Sequence, residues 1–256
     1  YNRTVEVIDV PEIDIPQSLV SARWPVSAFT RLFSGIILPQ NIDRILYLDC
    51  DTIITGDISQ LDFVSFNGNV IMGVKDCISG AYKNNIGLDK NQIYINAGVV
   101  LFDMKLFRKL NIKQIIDDYM KNYENIINYA DQDILNGILN GKIGELHPKY
   151  NVMTIDVVYS YKDIIRLRKP TNFYNEILFN EAKTNPSIVH YTTNMRVIRP
   201  WYRNTNHPLA EHFQKYMQKS EWKNRKLDMM KFSSKEMRIV FLIMKLPKCI
   251  AYNILG

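Results

Sequence analysis

The chain is predicted to be an α/β protein with a largely parallel or mixed sheet, and three observations predict it. Short apolar runs rich in strand formers recur at 45–48, 70–74, 94–103 and 188–190. Between them lies a helix-periodic stretch, 104–123, with Leu106, Phe107, Leu110, Ile115 and Ile116 near helical spacing. Of the 256 residues 46% are hydrophobic, enough for a sizeable core. Strands alternating with helices give the layered α/β arrangement.

The chain opens on strand-like residues 5–10 and passes into a loop punctuated by Pro11 and Pro16. Ser27 is placed to cap a short helix that carries Phe29, Leu32 and Phe33 on its inner face and projects Arg31. The run 45–48 lies between Pro39 and Asn41 on one side and Gly56 and Asp57 on the other, so it reads as a buried strand ending at a loop. A strand at 70–74 comes next, followed by a polar loop over 82–92 and a strand over 94–103. Asn96 and Gly98 are poor strand formers. Glycine inside a strand pattern marks a bulge or a close approach; Asn96 suits a sugar hydroxyl or neighbouring backbone. After the helix over 104–123, Asp131-Gln-Asp-Ile-Leu-Asn136 opens another. Its acids suit the positive end of a helix dipole, and Gly141 closes it. Short strands are expected at 143–146, 152–155 and 188–190, the last ending on His190.

The stretch that carries chemistry is Leu46-Tyr-Leu-Asp-Cys-Asp-Thr52. Residues i and i+2 of an extended backbone point to one side, so Asp49 and Asp51 converge while Cys50 turns away. Two adjacent carboxylates repel unless a cation lies between them, and oxygen ligands suit Mg²⁺ or Mn²⁺. The competing reading is a pair of Asx-turns that cap the next segment.

Charge is unevenly distributed. Residues 219–256 hold nine basic and three acidic side chains, so the whole formal net charge of +6 sits there and residues 1–218 balance. A nucleic-acid enzyme would carry basic charge on its body as well, so no nucleic-acid partner is expected. The tail reads as a separate element, 219–256, behind a catalytic domain over 1–218. Ser233 with Glu236 fits a capping box, Phe232 with Met237 a hydrophobic staple, and Pro247 stops the helix. A basic, partly apolar helix of this kind fits the inner face of an anionic membrane or packs back onto the domain. Three scattered cysteines without a Cys-x-x-Cys pair argue against a disulfide framework and a zinc site, and fit the cytoplasm.

Five stretches, in order, resemble the family-8 glycosyltransferases, which include glycogenin and the bacterial lipopolysaccharide galactosyltransferases and glucosyltransferases. They are Ala28-Phe-Thr-Arg-Leu32, Leu46 to Thr52, Tyr94-Ile-Asn-Ala-Gly-Val99, Asp131 to Asn136, and His190-Tyr191 with Arg199-Pro-Trp201. The resemblance implies a Rossmann-like nucleotide-sugar transferase core of the GT-A type with a mixed central sheet. It implies a retaining transfer of galactose or glucose from a UDP-sugar to a surface-glycan or glycoprotein acceptor. Asp49, Asp51 and His190 would hold the metal, Mn²⁺ by preference over Mg²⁺. Arg31 and Arg199 would meet the diphosphate, and Asp76, Asn96, Ala97, Asp131 and Trp201 would line the donor. Gln132, beside Asp131, would stand at the reacting centre as nucleophile or transition-state stabiliser. Two departures stand out. The segment from His190 to Trp201 is longer than the family's, lacks its glycine and has Arg199 for lysine. The opening strand and loop expected to hold uracil and ribose would lie upstream of Tyr1.

Two other readings compete. A haloacid-dehalogenase-like phosphatase or phosphotransferase also uses Asp-x-Asp, but wants Thr or Val where Ile53 stands. A degenerate sugar-nucleotide-binding fragment, tethered by its tail, would keep the motifs without turnover.

Overall fold

Residues 49–51 join two β-sheets, and the fold is most simply followed from that joint. The computed structural model describes residues 5–10, 25–194, 196–231 and 235–247. Its strands are β1 Arg44–Leu48, β2 Thr52–Ile54, β3 Ile71–Lys75, β4 Ile95–Asp103, β5 Ile143–Glu145, β6 Val152–Met153 and β7 Ile188–His190. The helices are α1 Ser34–Ile37, α2 Gly80–Asn85, α3 Met104–Phe107, α4 Ile112–Tyr123, α5 Ala130–Ile138, α6 Thr154–Val158, α7 Tyr161–Arg168, α8 Glu176–Thr184, α9 Ala210–Met217 and α10 Lys235–Lys245.

The larger sheet has the order β1-β4-β3-β5 and the smaller β2-β7-β6. Both are mixed: β4 is antiparallel to β1 and β3 while β5 runs parallel to β3, and β7 is antiparallel to β2 and parallel to β6. β4 is the central element. All but its last residue are buried, which is why its sequence is a near-continuous apolar run rather than an alternation. On one side Phe29, Leu32 and Phe33 pack with Ile95, Val100, Ile134 and Leu135 in the main core.

α5 is fastened to β4 by polar groups as well as by packing. Asn136 accepts the Ile95 N–H at 2.8 Å and donates to the Ile95 carbonyl at 2.9 Å, copying a strand neighbour with an amide side chain. Asp133 is fully buried and accepts from the Tyr82 and Tyr94 hydroxyls at 2.6 and 2.5 Å and from two backbone N–H groups at 2.8 Å. A buried carboxylate needs such partners, and these hold α5 in fixed register against the sheet.

Several expectations change. Residues 5–10 form no strand; Val5 and Val7 are 84% and 86% exposed and pair with no strand among the described residues. Ser27 is not a cap: the 3-10 helix Val26–Phe33 begins after Pro25, and the Ser27 carbonyl accepts from the Thr30 hydroxyl. Phe29, Leu32 and Phe33 still face inward. The loop expected over 82–92 begins inside α2, which Ser79 starts, its hydroxyl accepting the Tyr82 N–H. The long helix at 104–123 breaks into α3 and α4 around Leu110 and Asn111. Strand 152–155 shortens to two residues, because Thr154 starts α6. Ser233 and Phe232 lie outside the described residues, so the capping box and staple do too; α10 ends just before Pro247 as expected. Among the described residues no helix is long and apolar enough to cross a membrane. Asp228 and Met230, beyond the expected boundary at residue 218, bond back to Arg203 and Asn204.

Candidate active site

Register brings three strand ends together. The Asp49 N–H donates to the Gly98 carbonyl at 2.8 Å, which puts the end of β1 against the early part of β4. Thr52 in β2 lies opposite His190, and the Tyr191 N–H donates to the Asp51 carbonyl at 2.9 Å. Asp49, Asp51 and His190 therefore converge, with ligand atoms all within 4.8 Å of one another. His190 Nε2 is 3.0 Å from Asp51 Oδ1 and 3.6 Å from Asp49 Oδ2. Neighbouring donors around one six-coordinate ion with bonds of about 2.1 Å stand about 3 Å apart. Two carboxylates and one imidazole at these separations fit a divalent cation. Cys50 between them is exposed. The backbone here is a turn and not the extended run expected, with the Thr52 N–H donating to the Asp49 carbonyl at 3.2 Å, and the turn still brings both carboxylates to the cluster.

The glycine in β4 makes room for this cluster. A Cβ at Gly98 would lie 2.1 Å from His190 Cε1 and 2.8 Å from Asp49 Oδ2. The close approach that Gly98 signals is thus one by the site's own side chains.

Arg31 is the positive counterpart. Its guanidinium donates to Asp49 Oδ1 at 2.7 Å and to the Ala97 carbonyl, and its Nε is 2.8 Å from Asp131 Oδ2. Its side chain is only 9% exposed and stacks over the Tyr47 ring at 4.2 Å. Burial pushes the Asp131 carboxyl up to about 6, with Arg31 opposing and Asp49 adding to the rise. Asp51 shifts the other way. Burial would raise it, but the hydrogen bond and charge of His190, with the Arg199 guanidinium 3.6 Å away, hold it below the usual range. Arg199 also lies over the Trp201 ring at 5.0 Å, so the segment after His190 brings both residues to the cluster's edge.

On the other side, Gln132 Oε1 accepts from Asn96 Nδ2 at 2.9 Å and from the Ala97 N–H at 3.1 Å. Its Nε2 donates to Asp76 Oδ2 at 3.1 Å and to the Tyr94 hydroxyl at 3.2 Å. Asn96 has protein partners at both ends of its amide. Every site residue expected from the sequence lies in this one neighbourhood. Tyr47 and Asn151 do too, and the sequence had not singled them out. The Tyr47 hydroxyl donates to Asp49 Oδ1 at 2.8 Å, and its place two residues before Asp49 was the available signal. Asn151 had none, because its place depends on the pairing of β6 with β7.

Residues 2–205 match the family model described as Glycosyl transferase family 8. The chain is 26% identical over 221 residues to the general stress protein A of Bacillus subtilis, covering 85% of this chain and 74% of that protein. It is 28% identical over 204 residues to a lipopolysaccharide 1,2-glucosyltransferase of Escherichia coli, covering 78% of this chain and 56%, little more than half, of that enzyme. Among solved structures it is similar in fold to the galactosyltransferase LgtC in complex with donor and acceptor sugar analogs, with a TM-score of 0.63 at 22% identity over 88% of this chain and 73% of that one.

Proposed function

The chain belongs to glycosyl transferase family 8, and on that premise we propose that it is a retaining, metal-dependent transferase moving galactose or glucose from a UDP-sugar to a surface-glycan or glycoprotein acceptor. The observation that carries this reading is the convergence of Asp49, Asp51 and His190 beside the buried Arg31.

UDP is a poor, doubly charged leaving group. A divalent cation at the cluster, Mn²⁺ by preference, would supply Lewis-acid neutralisation of the departing diphosphate. Arg31 and Arg199 add charge-assisted hydrogen bonds to the same phosphates. Asp76 and Asp131, bonded to Gln132 and paired with Arg31 respectively, hold the donor sugar through its hydroxyls, with Ala97 seating Arg31 and Gln132 by its backbone, Asn96 fixing the Gln132 amide and Trp201 supporting Arg199. The Gln132 carbonyl oxygen already accepts two hydrogen bonds, so its lone pairs are engaged inward and a displacement through it is disfavoured. The acceptor then attacks from the face that UDP leaves, through an oxocarbenium-like centre. A covalent sugar trapped on Gln132 or Asp131 would overturn this route.

UDP release from UDP-galactose and UDP-glucose, with Mn²⁺ and with chelator, tests the assignment. Metal-dependent release ranks the donors. Absence of release together with absence of calorimetric UDP binding sinks it, and phosphate release from a small phosphoester would then favour phosphoryl transfer.

Peripheral membrane contact through the tail belongs to the same proposal. In α10, Ile239 and Leu242 are 47% and 63% exposed on a helix that starts and ends with lysine. This surface is complementary to an anionic membrane. Removing residues 232–256, beyond the bonds that tie Met230 to Asn204, should weaken sedimentation with anionic liposomes and leave UDP release intact. Equal losses of both would assign the tail to the fold instead.

A further inference from the structure

Asn151 connects the carboxylate–histidine cluster to Gln132. It follows the turn Pro148–Tyr150, is fully buried, and precedes β6, whose Met153 pairs with His190. Its side chain bridges His190 Nδ1 at 3.0 Å and Asn96 Oδ1 at 2.9 Å. Two backbone groups decide which end of its amide faces the histidine. The Gly98 N–H donates to Asn96 Oδ1 at 3.0 Å, and the Ala97 N–H donates to Gln132 Oε1 at 3.1 Å. A backbone N–H can only donate, so both of those side-chain atoms are carbonyl oxygens. Asn151 must therefore offer its NH₂ group to Asn96, which turns its own carbonyl oxygen toward His190. That oxygen can only accept, so His190 Nδ1 carries a proton. The other ring nitrogen, Nε2, faces Asp51 and Asp49.

We infer that Asn151 is a positioning residue for the cluster: it holds His190 with Nδ1 protonated and Nε2 directed between Asp49 and Asp51 as a ligand, and is itself held by Asn96 and Gln132. This rests on the metal-binding reading above. Ligating histidines commonly pass their second N–H to an acceptor that fixes ring orientation and tautomer. An amide in that place does so without adding a third negative charge beside two carboxylates. The same chain of amides ties the histidine's orientation to that of Gln132.

Mn²⁺ titration of the whole chain, followed by electron paramagnetic resonance, tests the inference on wild type, Asn151→Leu and Asn151→Asp. Leu has the same branched skeleton and no acceptor; Asp keeps the acceptor for Nδ1–H. Asn151→Leu should bind Mn²⁺ about 10- to 100-fold more weakly, and Asn151→Asp should lose less. Wild-type affinity in Asn151→Leu, or equal losses in the two variants, overturns the positioning role. Failure of the wild type itself to bind Mn²⁺ sinks the metal reading, and this one with it. A second measurement needs no folded Asn151 variant. In the wild type saturated with Cd²⁺ as a diamagnetic probe, long-range ¹H–¹⁵N spectra should show His190 protonated at Nδ1 and metal-bound at Nε2. A proton at Nε2 with Nδ1 bare overturns the assignment.

Discussion

Asp51→Asn should lower Mn²⁺-dependent UDP release about 10³-fold, because the interactions a bound cation makes with a leaving diphosphate are worth several kcal/mol and each 1.36 kcal/mol is a factor of ten in rate. The substitution keeps the size of the side chain and removes one ligand charge. The fold should hardly notice. Asp51 lies where β1 gives way to β2, its side chain is 24% exposed, and its backbone carbonyl still accepts the Tyr191 N–H. Loss of a partly exposed ion pair costs about 1 kcal/mol or less, or a fall in Tm of about 4 °C at most. That fall has a pH signature in the metal-free protein. The Asp51 carboxyl is held below its ordinary value in the folded state by His190 and Arg199, against the effect of burial. Its stabilisation is therefore present above the unfolded pKa and disappears as pH falls through the folded one. The Tm difference between wild type and variant should be greatest near neutrality and close in acid. Wild-type turnover by Asp51→Asn would remove Asp51 from the metal site. A collapse of Tm at neutral pH would make it a structural residue instead.

How much of this was legible in the sequence depends on whether a residue's role is local. Four strands, β1, β3, β4 and β7, were visible as apolar runs because burial on a sheet selects their residue types directly. The convergence of Asp49 and Asp51 was expected from strand geometry, but a turn delivers it, since β1 ends at Leu48, the Thr52 N–H donates to the Asp49 carbonyl at 3.2 Å and β2 begins at Thr52. Gly98 announced a close approach by being a glycine inside a strand. His190 ended an apolar run, but only the resemblance to a family made it a partner of residues well over a hundred positions away. The sequence does not encode the antiparallel register of Thr52 with His190 locally. Asn151 is the extreme case. Its role depends on the parallel pairing of β6 with β7, on Asn96 and on Gln132, and no pattern around residue 151 points to any of them. Misreadings have the same origin. Residues 5–10 have strand propensity but no strand to pair with among the described residues, and propensity without a partner gives no sheet. α2 was hidden because Gly80, Asn84 and Asn85 are poor helix formers; Ser79 as cap and Lys83, buried and donating to the Gln92 and Thr171 carbonyls at 2.8 Å, outweigh them.

Gly98→Ala should abolish high-affinity Mn²⁺ binding, a loss of about 100-fold or more, since it displaces a ligand rather than a supporting group. The added methyl would sit 2.1 Å from His190 Cε1 and 2.7 Å from Nδ1, well inside contact distance. Neither side can give easily. His190 is 4% exposed and bonded at Nδ1 to the fully buried Asn151, and β4 is paired along both edges with β1 and β3. Relief comes from turning the imidazole away from Asp51 or pushing β4 out of register, and either separates the three ligands. Overpacking of this kind also costs about 1–3 kcal/mol of stability, so a fall in Tm is expected in addition. Gly144→Ala separates the two effects. Its methyl would meet Met72 Sδ at 2.1 Å, in β3 and on the far side of the sheet order from β1. It should lower Tm and leave Mn²⁺ affinity unchanged. Gly98→Ala with wild-type Mn²⁺ affinity would mean that His190 can leave its place without consequence, and the ligand set would have to be drawn without it. A loss of Mn²⁺ binding in Gly98→Ala alone ties the missing side chain of one strand residue to the cation site, because the methyl at Gly98 meets His190 and Asp49 whereas the one at Gly144 meets Met72 and Asn69.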